Sequence, residues 1–156
     1  MPQTIATKSS LELVVGSNGL NRAVLLIARM LVASLFLVAA AQKFLGWDGT
    51  VSYFGKLGLI APGVILALVL ALEICAGILL IVGWRTSLVA TILAAFTLAA
   101  GLIAHQFWSA DPAQFGSQLI NFLKNVAIAG GLLYMAACER TPRSNRPVRQ
   151  QSPDGL

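Results

Sequence analysis

Residues 120 to 131, "INFLKNVAIAGG", set Lys124 between Asn121 and Asn125 in a stretch otherwise as apolar as a lipid tail. With Ser117 and Gln118 they recur at offsets of three and four, which places them along one stripe of a helix. An ammonium flanked by two carboxamides can neutralise an anion or hydrogen-bond a carbonyl oxygen and fix its orientation. Other apolar stretches hold further groups of this kind. Arg29 and Lys43 share a helical face with Phe36 and Ala40, Glu73 sits inside "ALEICAGILL", and His105 follows Ala94, Leu98 and Gly101.

Charged groups at the middle of an inserted helix cost about 2.5 to 3.5 kcal/mol each, so they persist where they pair or line a wet cavity. Arg29, Glu73 and Lys124 are therefore expected to face the bundle interior. Glu73 can pair with Arg29 or with Lys124, as a structural ion pair or a proton relay. Lys43, His105, Asn121, Lys124 and Asn125 are then left as a ligand pocket with excess positive charge. Each also has a plainer use. Lys43 can snorkel to the interface, His105 can belong to an interfacial belt, and the asparagines can be interhelical hydrogen-bonding glue.

The elements that position these groups follow from composition. Of the 156 residues, 57% are hydrophobic and 11% charged, where a soluble domain carries about a quarter charged. Apolar runs at 21–45, 61–83, 86–108 and 117–138 each approach or exceed the roughly 20 helical residues that cross a bilayer. They lack the alternation of a lipid-facing strand. The expected fold is all-α, an integral-membrane bundle of four transmembrane helices with short interfacial helices in the two outer loops. Asp111 before Pro112 is a helix-start pair for one of these. Trp47, Tyr53, Phe54, Phe107, Trp108 and Phe115 suit the interface and could together cover an outer pocket.

Residues 1–20 are expected to form a polar, disordered tail, 21–138 the membrane domain, and 139–156 a basic, disordered tail. Cleavage near Ala39 to Ala41, as in a secretory signal, would leave three spans, and retention of the first span is the reading preferred. Lys8, Arg22, Arg85, Arg140, Arg143, Arg146 and Arg149 flank one side of the bundle, which places both termini in the cytoplasm. The net charge of +5 is largely this topological signal, and the tail lacks the aromatic residues of a nucleic-acid binder. Cys75 and Cys138 lie at different depths, so a disulfide is not expected. One histidine, two scattered cysteines and no paired carboxylates give no metal or haem ligand set, and no nucleophile has a visible base partner.

Arg29 in the first span, "QKFLGWDG" at 42–49, "YFGKLGLIAPG" at 53–63, "ALEICAGILLIVGWRT" at 71–86 and "HQFW…DPAQF…QLINFLKN" at 105–125 together resemble the DoxX family over about residues 20 to 138. The resemblance implies a small bacterial inner-membrane protein of four helices, with Arg29, Lys43, Glu73, His105, Lys124 and Asn125 as the polar positions of the pattern. It further implies a link to quinone or thiosulfate oxidoreduction as a subunit, and with no ligand set or activated nucleophile in the sequence independent catalysis is not expected.

The resulting expectation is a membrane subunit of a redox system. It holds a quinone or a small sulfur-containing anion, with quinone as the one possible cofactor and none intrinsic. One alternative is a scaffold that recruits a soluble oxidoreductase or sulfurtransferase, and another is a small-solute transporter. Small residues such as Ala67, Gly77, Gly101, Gly130 and Gly131 permit close packing within one copy or in a homo-oligomer.

Overall fold

The computed structural model describes the backbone of residues 4–140 and side chains from Arg22 to Glu139. The chain is all-helical. α1 (Thr4–Leu45) is followed by α2 (Trp47–Lys56), α3 (Pro62–Val82), α4 (Thr86–Ala104), a single 3-10 turn (Phe107–Ser109) and α5 (Pro112–Arg140). Four stretches are long and apolar enough to cross a membrane: Arg22–Leu45, Pro62–Val82, Thr86–Ser109 and Pro112–Glu139. The basic C-terminal tail beyond Arg140 lies outside the described residues.

Two boundaries differ from the sequence reading. α1 continues back to Thr4 through residues expected to be a tail, and no proline between Thr4 and Leu45 would interrupt it. The start signal at Asp111 and Pro112 opens α5 itself rather than a separate surface helix, with the Asp111 carbonyl accepting from the Gln114 and Phe115 amides at 2.8 and 2.9 Å. The short elements of the two loops at this end are α2 and the 3-10 turn.

α1 packs on α3 and α4 packs on α5, and the two pairs join mainly through α3 and α4. Glycine permits the closest approaches. A Cβ on Gly77 would lie 2.9 Å from the Leu37 side chain of α1, and one on Gly101 would lie 3.0 Å from Asn125 Cβ of α5. Leu80, Leu93 and Leu132 are fully buried together with Ala33, Ala90, Ala94 and Ala129, and Ala76 is buried beside them. This core closes the half of the bundle nearest the termini. A smaller cluster of Ala40, Leu66 and Leu70 receives Val51 and Phe54, which seats α2 across α1 and α3. The outward faces carry Leu31, Val38, Leu68, Val82 and Leu102, all exposed. In water such a surface would aggregate, whereas in a bilayer it meets lipid.

Candidate functional site

Above the closed core, at the end that holds α2, the two helix pairs separate around a cavity of about 410 Å³. Phe36 and Phe96 form part of its walls, Tyr53 and Phe54 of α2 lie against it, and Lys43, Glu73, Thr97, His105 and Asn125 supply its polar groups. The volume falls in the range of small-molecule sites, which are mostly apolar with a few placed polar groups.

The central polar contact joins α1 to α3. Lys43 Nζ donates to Glu73 Oε1 at 2.7 Å and to Oε2 at 2.9 Å, and it also reaches the Ala39 carbonyl at 3.4 Å. Helical side chains lean toward the N-terminus of their own helix. On α1 that lean carries Lys43 away from the interface and into the bundle, and on antiparallel α3 it carries Glu73 up to meet it. The Glu73 side chain is 4% exposed and that of Lys43 27%, so the carboxylate is held in a low-dielectric setting by one ammonium. An unpaired carboxylate there would be strongly unfavourable.

This pairing corrects the sequence expectation, since Glu73 pairs with neither Arg29 nor Lys124. Ten residues of α3, about 15 Å of helix rise, separate Glu73 from Gly83, and the Arg29 guanidinium packs against Gly83. There the cation sits at the carbonyl end of α3, a position that a positive charge stabilises. Arg29 Nε is buried without a hydrogen-bond partner among the described residues.

Lys124 is exposed rather than interior. Asn125 is turned toward α4, where it meets Gly101, and the preceding residue is rotated by about 100° from it on a 3.6-residue helix. Lys124 Nζ instead lies 3.4 Å from Asn121 Oδ1 on its own helix, and Asn125 Nδ2 donates to the Asn121 carbonyl at 3.1 Å. Of the five residues expected to bind ligand, Lys43, His105 and Asn125 line the cavity, while Lys124 and Asn121 do not. The cavity also lacks the expected excess of positive charge, because its lysine is matched by Glu73.

His105 caps the C-terminus of α4, its amide donating to the Gly101 carbonyl at 3.0 Å. Its Nδ1 lies 3.1 Å from Gln118 Oε1 on α5. The contact ties the end of α4 to α5, with the donor and acceptor roles of the two ring nitrogens set by the tautomer. Tyr53 of α2 donates its hydroxyl to the Ala104 carbonyl at 3.2 Å, linking the helix over the cavity to the far helix pair.

Thr97, absent from the sequence reading, lines the cavity, is 4% exposed, and has a buried hydroxyl without a partner among the described residues. Its signal was spacing. Thr97 stands three residues after Ala94 and four before Gly101, both buried, whereas Leu98, taken for that stripe, is exposed. Among the described residues no group of three or more His, Cys, Asp or Glu side chains could hold a metal ion. Cys75 and Cys138 are both free thiols.

Comparison with known proteins adds the family. The model of the DoxX family matches residues 24–106. "Inner membrane protein YphA" of Escherichia coli (strain K12) is 37% identical over 112 residues, covering 72% of this chain and 80% of the relative. "Inner membrane protein YqjF" of the same organism is 34% identical over 111 residues, covering 71% and 80%. A Bacillus subtilis (strain 168) protein named "Putative oxidoreductase CatD" is 33% identical over 78 residues, covering 50% and 56%. No solved structure matches the chain. The matched segment holds α3, α4, most of the first span and four of the seven polar positions singled out from sequence, and on these matches the chain belongs to the DoxX family.

Proposed function

We propose that this membrane protein serves a redox-linked system by holding a small, largely apolar ligand of the quinone type in the cavity between its helix pairs. The observation that carries the reading is the juxtaposition of aromatic walls with the part-buried Lys43–Glu73 pair in a cavity of about 410 Å³. Apolar walls take a ring, and a few fixed polar groups orient its oxygens. The oxidoreductase name of the Bacillus subtilis relative supports the redox link.

A small sulfur-containing anion is the poorer fit. Burying an anion requires an uncompensated cation, and the lysine of this cavity is already held by a carboxylate. The Lys43–Glu73 pair, His105 and Asn125 present the polar groups that orient the ligand in this reading. Arg29 stabilises the end of α3, and Lys124 and Asn121 lie outside the site.

The test is thermal unfolding of detergent-purified protein titrated with ubiquinone-1, menadione and thiosulfate. A ligand bound only by the folded state stabilises by about 2.7 kcal/mol at a hundredfold excess over its Kd. The expected result is a concentration-dependent rise with the quinones and none with thiosulfate. Failure of all three to shift unfolding of a well-folded sample would favour a scaffold for a soluble oxidoreductase or sulfurtransferase.

A further inference from the structure

The hydrogen-bonding capacity of the cavity is lopsided. Lys43 directs its three N–H groups to Glu73 Oε1, Glu73 Oε2 and the Ala39 carbonyl. The Tyr53 hydroxyl hydrogen goes to the Ala104 carbonyl. His105 Nδ1 is engaged with Gln118, and Asn125 uses one amide hydrogen on the Asn121 carbonyl. These side chains have largely spent their donors on the protein itself.

Acceptors are what remain. The Glu73 carboxylate has lone pairs beyond the two that Lys43 occupies, and Asn125 keeps Oδ1. Beside the His105 ring, the remaining donors are neutral: one Asn125 N–H and the Thr97 hydroxyl, which serves equally as an acceptor. A bond from a ligand hydroxyl to the carboxylate is charge-assisted and about twice as strong as a neutral bond.

We infer that the cavity takes its ligand in a hydrogen-donating form, an apolar phenol or hydroquinone, in preference to the corresponding carbonyl compound. This rests on the reading of the cavity as a ligand site and adds which redox form it holds. Phe36, Phe54 and Phe96 line the same space and suit an aromatic ring. Replacing hydroxyl by carbonyl oxygen sets an acceptor against the Glu73 carboxylate, and both groups then lose a partner.

The experiment measures the affinity of the purified wild-type protein for tetramethylhydroquinone, tetramethylbenzoquinone and 1,4-dimethoxytetramethylbenzene, by anaerobic equilibrium dialysis in detergent. The three share a methylated ring and differ in donating, accepting or capped oxygens. The hydroquinone is expected to bind about tenfold or more tightly than the other two, the size of one hydrogen bond to a charged group. A quinone or ether that binds as tightly as the hydroquinone overturns the inference and leaves the cavity a ligand site. Binding of none of the three overturns the inference together with the ligand-site reading.

Discussion

Lys43 Nζ stands 2.7 and 2.9 Å from the two carboxylate oxygens of Glu73, thirty residues further along the chain. The contact ties α1 to α3 beside the cavity and neutralises the acid of the second span. A lysine two residues from the end of its helix would ordinarily extend to the interface. Here the acid draws it the other way, which makes the pair a structural tie as well as a wall of the site.

Removing one partner leaves the other stranded. Glu73→Gln and Lys43→Met should each lower stability, by about 3 kcal/mol where desolvation is complete and by less for the partly exposed lysine. The combination of Lys43→Met with Glu73→Leu should recover most of the loss. Thermal unfolding of the four proteins in one detergent gives the coupling directly, and additive losses would contradict the pairing.

The α4–α5 contact yields a second-site prediction. A Cβ at residue 101 would press on Asn125 Cβ at 3.0 Å, so Gly101→Val should destabilise by about 1 to 3 kcal/mol through overpacking. Adding Asn125→Gly should relieve part of this by removing the atoms that clash. Equal melting temperatures for Gly101→Val and wild type would show that the helices are not packed at this point.

The structure explains which features were legible in the sequence. The spans were, because roughly 20 apolar residues in a row have one economical fate in a bilayer. The inward stripe of α1 was also, since Phe36 and Ala40 are buried with Lys43 beside them. The partner of Glu73 was not, because counting depth from helix ends places Lys43 near the interface and ignores the lean of helical side chains toward the N-terminus. Lys124 was misplaced because a polar stripe wider than one row cannot say which of its edges meets the neighbouring helix. The aromatic residues of α2 read singly as a belt, and the link from Tyr53 to Ala104 depends on a fold that brings residues 51 positions apart together.

That link predicts a change in access. Tyr53→Phe removes the hydrogen bond between α2 and the end of α4 and keeps the ring, at a cost of about 0.5 to 1.5 kcal/mol. Ligand should leave faster while the apolar contacts stay the same. Stopped-flow displacement of bound ubiquinone-1 should show dissociation accelerated by about two- to tenfold, and an unchanged rate would mean that α2 does not cover the exit.

Orientation follows from the cations. With Arg22 and Arg85 at the end opposite α2, and Arg140, Arg143, Arg146 and Arg149 following the last apolar run in the sequence, both termini should be cytoplasmic. A green fluorescent protein fused after Leu156 should therefore fluoresce, and alkaline phosphatase fused there should be inactive. The reverse pattern would place the cavity and α2 on the cytoplasmic side.

The central claim, that the space between the helix pairs is a ligand site, is tested most directly by filling it. Ala100 lines the cavity, and Ala100→Phe would put a ring where the ligand is expected. Thermal unfolding with and without ubiquinone-1 should show a ligand-dependent rise in wild type and none in Ala100→Phe, while the unliganded variant unfolds within a few degrees of wild type. An equal rise in both proteins would contradict the assignment of the ligand to this cavity.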